Sequence, residues 1–148
     1  MSEKVENEIT VKVICSEKEL INALKKQGFN AGETFSLDDY YYIPSTLNIQ
    51  NMTTRELLSK AVILRYIVGN GKIVQKITFK IKNIADNGDI ISQKAINCDI
   101  LNIEDAKTLF KSLGYYEIMN IKENDVVYYK DKFELVIKYI ENSDILIE

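Results

Sequence analysis

The same local pattern occurs twice in this chain, far apart, and it restricts the fold more than any other feature. Ser16 precedes a run in which Leu20, Ala23 and Leu24 recur at helical spacing. Glu19 stands three residues after Ser16, as in a capping box, and Gly28 followed by Phe29 ends the run. Asn102 opens the second copy: Ile103, Ala106, Leu109, Phe110 and Leu113 share one helical face, and Gly114 followed by Tyr115 closes it. Each helix follows one strand-like run and precedes another, so the spacing predicts a strand-helix-strand unit used twice. The first strand is NEITVKVI, residues 7–14, where Ile9, Val11 and Val13 alternate with Glu8, Thr10 and Lys12.

The segment between the copies reads as antiparallel hairpins. Thr53 and Glu56 have capping-box spacing and start a short helix to Lys60. Strands at 61–68 and 73–82 meet at a Gly-Asn-Gly turn, and a second hairpin crosses Asp86-Asn87-Gly88-Asp89. After the second long helix, strands at 117–129 and 132–139 meet near Lys130-Asp131, and a last strand covers 145–148. Pro44, the single proline, sits in the loop-like stretch IPSTLNIQN. Strands joined by tight turns and flanked by amphipathic helices make an α+β fold. With 148 residues and no linker-like segment, one domain spanning 1–148 is expected.

Several function classes are excluded by residue type. The chain has no histidine, which removes Ser-His-Asp and Cys-His nucleophilic machinery and imidazole-based zinc sites. Cys15 and Cys98 lack CxxC spacing and read as small hydrophobes. A net charge of −3 argues against a nucleic acid polymer as partner. No apolar run is long enough for a membrane span, and the acidic start MSEKVENE lacks the pattern of a secretory signal, so the cytoplasm is the expected location.

Strand parity shows where charge could act. In ITFKIK, Thr78, Lys80 and Lys82 share a face opposite Ile77, Phe79 and Ile81; in NIKEN, Asn120, Lys122 and Asn124 share a face. Arg65 lies between Ile63 and Ile67 at two-residue spacing, and Lys94 precedes Ile96 and Cys98, so two cations fall on otherwise apolar faces. Parity alone is compatible with the wet side of a one-sided sheet and with a cationic lumen. The run Tyr40-Tyr41-Tyr42 reads as a strand that buries one ring and leaves its neighbours partly exposed.

Glu8-Ile9-Thr10-Val11-Lys12 resembles the N-terminal ExExK strand of the CYTH, or triphosphate tunnel, superfamily of class IV adenylyl cyclases and thiamine or inorganic triphosphatases, with Thr10 in place of the middle acid. SLDDYYYI resembles the D-x-Y-F strand through Asp39, Tyr41 and Tyr42. ILRYI resembles LRxR, with Ile67 at the second arginine, and ITFK resembles T-x-K. KAINC stands where R-x-E-x-E is expected, keeping Lys94 but placing Ile96 and Cys98 at the acids. NIKEN resembles K-x-R through Lys122, with Asn124 for the arginine. Val136 replaces an expected aspartate, and the closing ILIE resembles E-x-E, keeping Glu148 with Leu146 at the first acid.

The resemblance implies an antiparallel eight-stranded barrel or tunnel with flanking helices. It implies phosphate binding by Lys12, Arg65, Lys80, Lys82, Lys94 and Lys122, with Lys138 as an addition, and catalysis through Glu8 and Lys12. It further implies a magnesium or manganese ion on Glu8 and Glu148. The ligand would be a triphosphate-containing small molecule or inorganic polyphosphate, and a homodimer is an allowed assembly. The missing acids leave two readings open: a metal-dependent cyclase or triphosphate hydrolase, and a domain that binds phosphate or another protein without turnover.

Overall fold

The computed structural model describes residues 2–6 and 9–148. The strands are β1 (Ser2–Glu6), β2 (Val11–Lys12), β3 (Asn30–Pro44), β4 (Val62–Gly69), β5 (Lys72–Ile84), β6 (Ile90–Asp99), β7 (Tyr115–Lys130), β8 (Phe133–Ile140) and β9 (Ile145–Ile147). The helices are α1 (Glu17–Lys26), α2 (Thr54–Ser59) and α3 (Ile103–Ser112). The hydrogen-bonded strand order is β1-β6-β5-β4-β3-β7-β8-β9-β2, an antiparallel α+β arrangement. Among the described residues nine strands are hydrogen-bonded in this order, and the two nearest the N-terminus are short. Strand β2 keeps only Val11 and Lys12 of the expected 7–14 run, of which residues 7 and 8 lie outside the described set.

The sequence signals act where expected. Ser16 and Thr53 each form a capping box, with Glu19 and Glu56 respectively, so the first amides of α1 and α2 are satisfied locally. Asn102 caps α3 by accepting from the Glu104 and Asp105 amides. Both long helices end at a glycine of positive φ, Gly28 and Gly114. The β4–β5 turn needs two left-handed residues in succession, and Asn70 and Gly71 supply φ of 51° and 67°.

The chain forms two compact units, and several strands contribute to both. The first contains residues 38–66 and 74–120 with the N-terminal segment; the second contains 9–37, 67–73 and 121–148. In the first unit α3 lays Ile103, Ala106 and Phe110 against Tyr42, Leu64, Tyr66 and Ile77. Tyr42 is buried and meets Phe110 edge-on, with centroids 5.5 Å apart. In the second, α1 buries Leu20 and Leu24 against Tyr128 and Ile137, each leucine contributing roughly 1.5–3 kcal/mol of apolar burial. Among the described residues no helix is long and apolar enough to cross a membrane.

Candidate functional site

Each unit has one face of sheet covered by its long helix and one turned away from it, and the charged residues sort between these faces. In the first unit Tyr40, Tyr42, Leu64, Tyr66 and Ile77 belong to the α3 cluster, so by alternation Asp39, Arg65, Thr78, Lys80 and Lys82 point the other way. On that second face the Arg65 guanidinium grips Asp39 with two hydrogen bonds, Nε to Oδ1 and Nη2 to Oδ2, both 2.7 Å. The pair is well buried, the side chains being 17% and 5% exposed. Arg65 is thus committed to a bidentate partner inside its own fold. Thr78 donates to Asn97 at 2.9 Å beside it.

The β5–β6 register places Lys80 across from Ala95 and Lys82 across from Gln93. Both lysines are half-buried and share the Arg65 face, as their parity predicts. Lys94 does not join them: it pairs with Ile81, on the face that α3 covers, and it is exposed. The residues that do face Lys80 and Lys82 from β6 are Gln93, Ala95 and Asn97, one place out of phase with the sequence-based choice.

A similar shift occurs in the second unit. Val126 and Tyr128 pack on α1, so Lys122 and Asn124 fall on that helix's side and are exposed, whereas Glu123 and Asp125 point to the opposite face and are buried. There Asp125 stands across from Lys138, and Lys138 across from Leu146. The Lys138 ammonium lies 3.1 Å from Glu148 Oε2 and 4.0 Å from Glu123 Oε1. Thr10 donates to the same Glu148 oxygen at 3.3 Å. Lys12 is mostly exposed and pairs with Asp144 at 3.1 Å. The chain therefore builds a buried carboxylate cluster around one lysine where the resemblance implies two cations. Glu8 lies outside the described residues.

Burial dominates the titration of Asp125. Asp125 is pushed up to about 7 by desolvation, with the nearby Glu123 charge adding to it, and its buried Oδ1 has no hydrogen-bond partner. Lys138 is desolvated too, but the Glu123, Glu148 and Asp125 charges outweigh that cost and raise its pKa. Because Asp125 binds its proton more tightly folded than at its ordinary value of 3.8, its contribution is favourable at low pH and is lost as pH rises through about 7. Asp125→Asn is expected to match the wild type at pH 4 and to be more stable at pH 8 by roughly 2 kcal/mol, as read by urea denaturation at both values.

Of the two carboxylates that the resemblance implies for a magnesium or manganese ion, Glu148 alone is among the described residues. Glu148 is already engaged by an ammonium and a hydroxyl, and among the described residues no group of three or more acidic or cysteine side chains is placed to hold a metal. A cation is present in the cluster, but it is covalently part of the chain.

No protein-family model and no curated protein sequence matches the chain. Solved structures do. The PH1819 protein from Pyrococcus horikoshii superimposes with a TM-score of 0.70 at 16% identity, over 99% of this chain and 75% of its own. A candidate adenylate cyclase from Vibrio parahaemolyticus gives 0.58 at 14% identity, over 98% of this chain and 72% of its own. The fold is CYTH-like. A chain of the Schizosaccharomyces pombe Mediator head module gives a TM-score of 0.57 at 9% identity, over 88% of this chain and 73% of that one. Identities this low carry the CYTH-like architecture and leave the chemistry to the side chains.

Proposed function

We propose that this chain is a non-catalytic, cytoplasmic CYTH-like domain that binds a phosphate-rich anion, a triphosphate-containing small molecule or inorganic polyphosphate, without metal-dependent turnover. The observation that carries the reading is the placement of two half-buried lysines, Lys80 and Lys82, on one face of the sheet, across the β5–β6 ladder from Ala95 and Gln93. Arg65 would act behind them as a fixed positive wall rather than as a gripping side chain, since Asp39 holds it. The loss of turnover follows from the carboxylate cluster, where Lys138 occupies the acids that would otherwise be offered to a divalent ion.

Isothermal titration with inorganic triphosphate and ATP, with and without magnesium, tests this directly. The expected result is binding that weakens with salt, is indifferent to magnesium, and is lost in Lys80→Glu/Lys82→Glu, with no release of phosphate or cyclic nucleotide. Metal-dependent product formation would overturn the non-catalytic reading, and the absence of binding would overturn the ligand.

A second reading, that the domain serves in protein assembly, is favoured by the similarity to a chain of the Mediator head module and by Ile91 and Leu101, which are 62% and 98% exposed. It predicts no triphosphate binding in the same titration.

A further inference from the structure

The α3 side of the first unit carries a feature independent of the Lys80 and Lys82 face. A cavity of about 440 Å³ opens beside the first turn of α3, walled by the rings of Tyr40 and Tyr66, the carboxylates of Asp38 and Glu104, and Gln75, with Leu101 at its edge. A cavity at the start of a helix ordinarily favours an anion, because the first amides point into it. Here those donors are spent. The Ile103 amide donates to Gln75 Oε1 at 2.9 Å, and the Glu104 and Asp105 amides donate to Asn102 Oδ1 at 2.9 and 3.2 Å.

Glu104 is paired with the Lys107 ammonium at 3.1 Å, so Asp38 sets the polarity. Asp38 accepts from the Tyr40 hydroxyl at 2.8 Å and from the Asn120 amide; both donors are neutral, so they orient the carboxylate without cancelling its charge. Tyr40 already receives a cation within the fold, the Lys107 ammonium lying 3.5 Å from its ring centroid. Leu101, almost wholly exposed, gives the edge an apolar surface suited to an aliphatic stem.

We infer that this cavity binds an alkylammonium or guanidinium group on an aliphatic stem, the charge directed to Asp38 and the stem lying along Tyr66 and Leu101. The cavity is large enough for such a ligand and combines aromatic walls with convergent acceptors, as small-molecule sites do. The group could belong to a free amine or to a lysine or arginine side chain, and the chemistry is the same for both.

Titrating the full chain with 1,5-diaminopentane and with an end-blocked pentapeptide bearing one central lysine separates these sources. Calorimetry and backbone amide NMR at Gln75, Leu101 and Ile103 would read the binding. The expected result is saturable binding with Kd between about 10 μM and 1 mM, weakened about tenfold or more by Asp38→Asn or Glu104→Gln. Tighter binding of the pentapeptide assigns the site to a protein side chain, and tighter binding of the diamine to a free amine; either outcome supports the cation site. Glu104 is 75% exposed at its side chain, so Glu104→Gln keeps the test open if Asp38→Asn perturbs folding. Failure of both probes to saturate, or unchanged affinity in Glu104→Gln, would overturn the inference. So would saturable shifts of the same amides by sodium phosphate.

Discussion

Arg65→Met is expected to lower the unfolding free energy by about 3–5 kcal/mol, because it leaves the Asp39 carboxylate buried with its cation removed. Arg65→Lys keeps a charge but cannot reproduce the two parallel hydrogen bonds, and a loss of about 1–2 kcal/mol follows. The pair itself is replaceable: Arg65→Met combined with Asp39→Leu removes both charges, and most of the lost stability should return. Chemical denaturation of the three variants reads the difference. If the single Arg65→Met variant were as stable as the double one, Asp39 would not be a buried charge needing its partner. One practical consequence is that Arg65 makes a poor probe of phosphate binding, since its loss changes the fold before it changes affinity. Lys80 and Lys82 are the better choice.

Lys138→Met should be the other severe change, costing about 3 kcal/mol near neutral pH. It strips the Lys138 ammonium from among Glu123, Asp125 and Glu148, two of which are buried. The pH profile distinguishes this from simple loss of packing. Acidification protonates Asp125 first, since its pKa is raised to about 7, so the deficit of Lys138→Met should shrink as pH falls from 8 towards 5. A cost that is flat across that range would mean that the lysine stem, not its charge, matters. Combining Lys138→Met with Asp125→Asn should recover part of the loss, and the shortfall from additivity measures their coupling.

The helices were legible because their signals are local. Ser16 with Glu19, Thr53 with Glu56, and the glycines Gly28 and Gly114 each fix one end from residues a few positions apart. The hairpins were legible for the same reason. What parity could assign depended on contrast along the strand. In ITFKIK each apolar residue has polar neighbours, and Lys80 and Lys82 are placed correctly. KAINC and NIKEND offer polar residues at both parities, so alternation gives no phase there, and matching Lys94 and Lys122 to family motifs picked the face opposite to Gln93, Glu123 and Asp125. The side chains missed as a result, Gln93, Glu123 and Asp125, carry a signal only when the strand partner is known: Gln93 faces Lys82 and Asp125 faces Lys138. That partner lies far along the chain, beyond what local spacing encodes.

The pairing of β2 with β9 has a consequence for synthesis. Val11 and Lys12 hydrogen-bond with Ile147 and Leu146, and Thr10 reaches Glu148 across a separation of 138 residues. Helix α1, complete early, packs on Tyr128 and Ile137, which emerge from the ribosome on the order of ten seconds later at ordinary elongation rates. Throughout that interval Leu20 and Leu24 lack Tyr128 and Ile137 and have only neighbours such as Val13 and Phe29 beside them, so the nascent chain leaves a greasy stripe that a chaperone can bind. High contact order of this kind also slows refolding in vitro, with β2 among the last elements to be locked.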